Sequence, residues 1–295
     1  MLYLVVGATG LVGTEVCRRL REAGHSVRAL VRPTSTPDKV ARLEALGAAI
    51  VTGDVKDRSS LDRACRDITV VVSTASSTIS RQSGDSIATV DRQGQLDLVD
   101  AAEAAGVNRF VFVSFPAVEI DFPLQSAKRA VEERLRESGM SYTILQPTAF
   151  FEVWLSPMLG FDVPGGNVRV YGSGENKTSW ISFQDVARFA AAAATAAEAK
   201  IGAFELGGPD ALSPLEVVRL AEEMTGKHFV VEHVPEEALR AQYDNANDPM
   251  ERSFAALMLY NAGGDVIDST PALRAFDVRG LRSVREHLTT MTSAV

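Results

Sequence analysis

The sequence predicts an α/β protein: a doubly wound parallel sheet, Rossmann-like, with a smaller C-terminal cap on the substrate side. Three observations carry this. Short apolar, β-branched runs alternate with helical patterns through the first half of the chain, as strands buried on both faces require. Glycines stand where helices turn back into strands. The first strand runs straight into a glycine-rich turn, "VVGATGLVG", that opens the first helix.

The elements follow in order. "LYLVV" (2–6) reads as a strand, and an apolar stripe at helical spacing covers 11–23. "HSVRALV" (25–31) is the second strand, and a helix covers 40–46. "AAIVTGD" (48–54) is the third, followed by a helix over 60–65. "ITVVVST" (68–74) is the fourth, before one long helix over 87–105. "RFVFVS" (109–114) is the fifth, a helix from Lys128 runs to about Ser138, and "SYTILQP" (141–147) is the sixth. Gly24, Gly47, Gly106 and Gly139 each separate a helix from the next strand, where left-handed helix ends belong.

After Pro147 the rhythm breaks. Gly, Pro and Asn crowd the next stretch, with one short strand over 168–171. "SFQDVARFAAAAATAAEA" is a helix with Ser182 or Asp185 near its cap. "GAFELGG" is a strand. "SPLEVVRLAEEMTG" is a helix capped by Ser213, with Pro214 at its first position and Glu216 completing the box. Residues 236–263 and 270–290 read as mostly helical. We expect a dinucleotide-binding core over 1–150. Residues 151–295 form a mixed region that adds the last core elements and a substrate-binding cap.

Composition narrows the class. The 295 residues are 46% hydrophobic and 23% charged, enough apolar material for a large core. Thirty basic against 38 acidic residues give a net charge of -8, which argues against nucleic acid or an anionic membrane as partner. The two cysteines, Cys17 and Cys65, lie on helical stretches and make neither a disulfide framework nor a zinc set, so no metal is expected. No apolar run reaches the roughly 18 residues of a membrane span, and the first residues lack a basic leader. A cytoplasmic protein, monomer or homodimer, is the expectation.

The glycine turn points to a dinucleotide. Gly7 allows the tight turn, Gly10 lets backbone approach a pyrophosphate, and Gly13 lets helix and strand pack closely. Thr9 and Leu11 offer backbone amides at the helix N-terminus. The second strand ends at Arg32, where an acid would reject a 2′-phosphate; a guanidinium suits phosphate, so NADP(H) is expected over NAD(H). Asp54 ends the third strand and either meets the adenine amino group or closes its own turn. Ser73, Thr74 and Ala75 end the fourth strand at the crevice, where small residues permit close approach.

In many oxidoreductases of this size a Tyr stands four residues before a helical Lys, on the same helix face. Here Lys128 has Leu124 in that place, which has no proton to give. Lys128 then anchors the cofactor ribose, donates to substrate itself, or pairs with Glu132 on the surface. Ser114 is a modest donor candidate, or simply a strand-end cap. Phe115, Phe122, Phe150, Phe151 and Trp154 line a flat apolar pocket or form a shared core.

The segments "GATGLVG", "ALVR", "GDVKD", "RFVFVS", "SAKRAVEERLRESGMSYTILQPTAFFE" and "SWISFQDVAR" together resemble the NmrA-like group of atypical short-chain dehydrogenases/reductases, over residues 1 to about 190. That group includes isoflavone, benzylic-ether and quinone reductases and NADP-sensing regulators. The resemblance implies cofactor contacts at Gly7, Thr9, Gly10, Leu11, Gly13, Arg32, Asp54, Ala75 and Lys128. It implies a nicotinamide-facing turn at Pro147, Thr148, Ala149 and Phe150, and a structural acid at Asp185. Family members commonly carry Arg-Pro where this chain has Gln146-Pro147. The leading expectation is an NADPH-dependent reductase of a quinone, enone or aromatic ketone, working without a tyrosine. The alternative is an NADP-binding redox sensor with no turnover. A nucleotide-sugar epimerase or dehydratase is third, because its usual tyrosine is missing.

Overall fold

The computed structural model describes residues 1–79 and 82–292. The first half runs β1 (Leu2–Val6), α1 (Leu11–Glu22), β2 (Ser26–Val31), α2 (Pro37–Ala45), β3 (Ala49–Thr52), α3 (Arg58–Ala64) and β4 (Val70–Ser73). A π-helical segment (Ile87–Gly94) leads into α4 (Gln95–Ala104), then β5 (Arg109–Val113), α5 (Pro123–Glu137) and β6 (Ser141–Pro147). The second half runs α6 (Phe151–Trp154), a 3-10 turn (Pro157–Leu159), β7 (Phe161–Asp162), β8 (Asn167–Tyr171), β9 (Thr178–Ser179), α7 (Phe183–Thr195), β10 (Gly202–Leu206) and β11 (Ala211–Leu212). It ends with α8 (Pro214–Thr225), β12 (Val230–Val234), α9 (Glu236–Asn245), α10 (Pro249–Gly263), α11 (Thr270–Phe276) and α12 (Val284–Thr292).

Seven strands form one parallel sheet in the order β10-β6-β5-β4-β1-β2-β3. The strand order reverses between β1 and β4, so a crevice opens at their C-terminal ends, where open α/β sheets bind ligands. Side-chain alternation splits the core. Tyr3, Val5, Val70, Val72 and Val111 pack on the α1 and α7 side. Leu4, Val6, Val71, Phe110 and Phe112 pack on the α4 and α5 side. The cap has a core of its own, with Phe161, Val168, Val170, Val217 and Leu288.

Several expectations change. The helix bearing Lys128 starts earlier, at Pro123, because Pro suits a first helical turn and Phe122 supplies the extended cap position. Leu124 is therefore inside that helix. The helix expected over 87–105 opens as a π segment, capped by a reciprocal Ser86–Thr89 box. A side chain at Gly94 would press on Val55 and on the Thr89 carbonyl, so this wide turn needs glycine. Gly24, Gly47 and Gly106 adopt positive φ, as expected. Gly139 does not: Ser138 turns extended at the end of α5, and the Gly139 N–H donates to Glu103 at 2.7 Å. In the cap, β8 stands where a strand was expected. β12 lies parallel to it and was missed, because "VVEHV" sits between helices with mixed exposure. Ser182 caps α7. Asp185 instead pairs with Arg188 and accepts from the Arg282 N–H at 2.7 Å, tying α7 to the C-terminal segment. Cys17 and Cys65 are buried, and burial pushes both thiols up to about 12. Among the described residues no helix is long and apolar enough to cross a membrane, and none group as a metal site.

Candidate functional site

The glycine turn has the geometry a dinucleotide needs. Gly7 sits at φ +80°, and a Cβ there would lie 2.7 Å from the Ala75 nitrogen. A Cβ on Gly13 would lie 2.2 Å from the Gly7 carbonyl oxygen, so α1 can pack this close only through glycine. The Gly10 N–H donates to the Gly7 carbonyl at 2.9 Å, and the Thr14 hydroxyl donates to the Ala8 carbonyl at 2.8 Å. The turn is thus fixed before any ligand arrives. Beside it runs a groove of about 660 Å³, within the ~300–1,000 Å³ usual for small-molecule and cofactor sites. Gly7, Thr9, Gly10, Leu11, Arg32, Asp54, Thr74 and Ala75 all line it. The structure therefore brings together eight of the residues expected there. Gly13 lies beneath the turn, and Ser114, Lys128, Pro147 and Phe150 do not line the groove.

One end is rich in cations. Arg32, Lys39 and Arg42 line it. Lys39 and Arg42 escaped the sequence reading. Their three-residue spacing on α2 was the available signal. Arg32 Nη1 lies 2.7 Å from Asp85 Oδ2, and Lys56 Nζ lies 2.5 Å from Asp85 Oδ1. Asp54 closes its own turn, accepting from the Lys56 N–H at 2.9 Å, while still facing the groove.

The other end rests on buried polar groups. The π segment and the start of α4 bring Asp91 and Gln95 to the tail of β4. Gln95 Oε1 accepts from the Ser73 hydroxyl at 2.8 Å, and its Nε2 donates to the Ala75 carbonyl at 2.9 Å. Asp91 Oδ2 accepts from both the Ser77 N–H and hydroxyl, while its Oδ1 is buried with no partner. Lys128 is buried, donates to the Val113 carbonyl at 3.2 Å and sits 4.8 Å from the Phe112 ring centre. Burial holds its ammonium below the usual lysine range; Asp91 and Glu132 pull it back up. The surface-pair reading of Lys128 is thereby excluded.

Ser114 donates its proton to Glu132 Oε1 at 2.6 Å. Glu132 also receives Gln146 Nε2 at 3.1 Å and pairs with Arg129 and Arg136. Gln146 thus hydrogen-bonds a carboxylate whose counter-charge comes from two arginines on α5 itself. Glu152, at the cap edge of the groove, accepts from the Ser182 hydroxyl and from the Phe183 N–H, and burial raises its carboxyl above the usual range.

The place of the missing phenol is core. Leu124 is buried with Ile87, Phe122, Ala127 and Ala256, where the π segment, α5 and α10 meet. The five aromatics expected around a flat pocket do not line the groove. Phe122 and Phe151 are fully buried, Phe115 stacks on Phe122, and Trp154 packs edge-on to Tyr171. Apolar contact in the groove comes instead from Leu11, Ile79, Val153, Met158 and Phe183.

Known proteins share this fold and part of this sequence. A photosystem II assembly factor, Ycf39 of Synechocystis, is 33% identical over 253 residues, 81% of this chain and 72% of that protein. An NAD(P)H azoreductase of Xenophilus azovorans is 31% identical over 228 residues, 77% of this chain and 74% of that protein. Among solved structures, the NADPH complex of the Escherichia coli quinone oxidoreductase QOR2 superposes with a TM-score of 0.80. It shares 21% identity and covers 99% of this chain and 100% of that one. The model of the NmrA-like family matches residues 2–288, nearly the full chain, and with relatives above 30% identity over most of its length the chain belongs to the NmrA-like family.

Proposed function

We propose that this protein is an NADPH-dependent reductase that delivers hydride to a small conjugated acceptor such as a quinone, enone or aromatic ketone. The observation that carries the reading is the pre-formed glycine turn opening onto a groove whose far end holds Arg32, Lys39 and Arg42. Backbone amides at the start of α1 face the pyrophosphate, and the cations receive the 2′-phosphate. Bound there, the cofactor supplies a hydride. The chain supplies position and exclusion of water. Thr74 and Ala75 let the ribose approach closely, and the Gln95 and Asp91 contacts hold that tail still. Lys128 fixes the electrostatics beneath it.

The acceptor class follows from what is missing. No tyrosine lines the groove among the described residues, Leu124 is core, and the Ser114 proton is committed to Glu132. An acceptor whose reduced form is a stabilised enolate or phenolate takes its proton from water. The apolar rim of Leu11, Ile79, Val153 and Met158 suits a flat, weakly polar molecule. That several relatives carry names describing azo-dye, isoflavone or quinone reduction supports this class.

A second reading is a cofactor-binding regulatory or assembly protein without turnover. The relatives named as photosystem II assembly factors favour it. One experiment separates the two. Calorimetry measures NADPH and NADH binding, and NADPH oxidation is followed with a panel of quinones, enones and azo dyes. The reductase reading expects tighter NADPH binding and turnover of at least one panel member. Tight binding with no turnover transfers the protein to the second reading; no binding of either nucleotide removes both.

A further inference from the structure

The residue that controls the 2′-phosphate end comes from an unexpected place. Acids that discriminate against NADP(H) ordinarily stand at the end of the second strand. Here that position is Arg32, and the acid, Asp85, arrives from the other side of the groove, on the connection between β4 and the π segment. Its carboxylate is 1% exposed and bridges two cations from different loops, Arg32 at 2.7 Å and Lys56 at 2.5 Å. One oxygen faces each cation. That is how a phosphate would sit between a guanidinium and an ammonium.

Residues 82–86 dock as a strap on the loops that carry Arg32, Thr34 and Lys56. Gln82 Nε2 donates to the Thr34 carbonyl at 3.4 Å, and the Thr34 hydroxyl donates to Gln82 Oε1. Lys56 Nζ also reaches the Ser83 carbonyl at 3.4 Å. Gly84, at φ +77°, makes the turn, and Ser86 fixes the far end by capping the π segment. Among the described residues these docking contacts are polar. Those of Gln82 and Ser83 are exposed and weak, so the buried Asp85 carboxylate is the main hold, and a stronger anion on Arg32 and Lys56 is what can exchange it. A phosphate monoester carries about -1.5 to -2 at neutral pH, against -1 for the carboxylate. Both anions cannot share two cations without repulsion.

We propose that Asp85 is a specificity-determining residue, a built-in competitor for the cofactor's 2′-phosphate that must leave Arg32 and Lys56 before NADP(H) seats fully. The inference rests on the reductase reading only for its ligand. NADH, which lacks the 2′-phosphate, binds with the strap in place. NADPH binds by displacing it. Asp85 therefore narrows the preference that Arg32 would otherwise give.

The test uses fragments, so it does not depend on turnover. Affinities of adenosine 2′,5′-bisphosphate and adenosine 5′-monophosphate are measured by calorimetry for the wild type, Asp85→Asn, Asp85→Ala and Arg32→Ala. Both Asp85 variants should bind the bisphosphate about tenfold more tightly, with the monophosphate changed less than twofold. Arg32→Ala should narrow the difference between the two fragments, leaving the part that Lys39 and Arg42 supply. Unchanged or weaker bisphosphate binding in both Asp85 variants overturns the proposal and makes Asp85 a plain loop tether. Undiminished discrimination in Arg32→Ala also overturns it, placing the phosphate on Lys39 and Arg42 alone. If the wild type binds neither fragment, the cofactor reading itself falls, a result distinct from the other two.

Discussion

Two buried carboxylates each gather two cations, one beside the cation-rich end of the groove and one behind it. Asp85 is 1% exposed and pairs with Arg32 and Lys56, which keep 29% and 25% of their side chains exposed. Glu132 is 2% exposed and pairs with Arg129 and Arg136, which keep 28% and 47%. Burial alone therefore does not separate the two clusters. Their setting does: Arg32 lines the groove, whereas Glu132 is held within α5 by arginines three and four residues away and takes further bonds from Ser114 and Gln146. Breaking a buried pair costs several kcal/mol, because an uncompensated charge remains, and the more partners converge on the carboxylate the larger that cost.

Substitution at Glu132 is the sharpest way to break this contrast. Ser114, Gln146, Arg129 and Arg136 all converge on its carboxylate. Glu132→Ala should destabilise the fold by about 3 kcal/mol in denaturant titration, the lower edge for a broken buried pair. Arg32→Ala should cost less, because Lys56 still pairs with the buried Asp85. Equal costs in both clusters would remove the distinction.

Lys128 comes next, with an effect on rate. Lys128→Met should lower turnover about 100-fold and also lower the melting temperature, since the buried Asp91 and Glu132 lose a counter-charge. The charged form of Lys128 is disfavoured by burial, so it loses its proton below the ordinary lysine range. If the ammonium is the working form, turnover falls as pH rises through that depressed value, and Lys128→Arg moves the alkaline limb upward. Undiminished turnover in Lys128→Met would leave the lysine as a core cation with no part in the reaction.

How far the sequence reached also differs between the two settings. The parallel sheet, the glycine turn and the groove-lining role of Arg32 were legible, because strand period and glycine spacing are local signals. Asp85 was not. Its partners lie 53 and 29 residues away, and nothing in "QSGDS" distinguishes it from an ordinary turn acid. Lys128 was legible as important but not as buried, since "KRAVEERLRE" reads equally well as a solvated helix face. The choice between pocket and core for the aromatics stayed open for a related reason. Phe122 and Phe151 are core because the cap folds against α5 and α12, a tertiary fact with no local signature.

Leu124 gives a smaller effect and a clear sign. Restoring the phenol with Leu124→Tyr should not raise turnover. The side chain points into packed apolar surface with Ile87, Phe122 and Ala256, so the larger ring should cost about 2 kcal/mol by overpacking. A gain in carbonyl reduction would mean that the junction of α5 and α10 opens onto the acceptor, and the setting behind the groove would then be the more adaptable of the two.

The smallest expected effect is a salt dependence, and it separates the ends without any mutation. The Debye length falls from about 30 Å at 0.01 M to about 3 Å at 1 M salt. Arg32, Lys39 and Arg42 line an open groove, so their attraction for a 2′-phosphate is screened over that range. In the proposed complex, amides at the glycine turn bind the 5′-phosphates by short directed bonds, which are screened less. The ratio of NADPH to NADH affinity should therefore drop roughly fivefold between these limits, equivalent to about 1 kcal/mol spread over partly exposed pairs. The Glu132 carboxylate is buried and also bound by Ser114 and Gln146, so the stability difference between wild type and Glu132→Ala should move less over the same range. A ratio that does not move with salt would mean that the phosphate is received in a desolvated pocket. Arg32 would then stand in as closed a setting as Glu132, and the division between the two would fail.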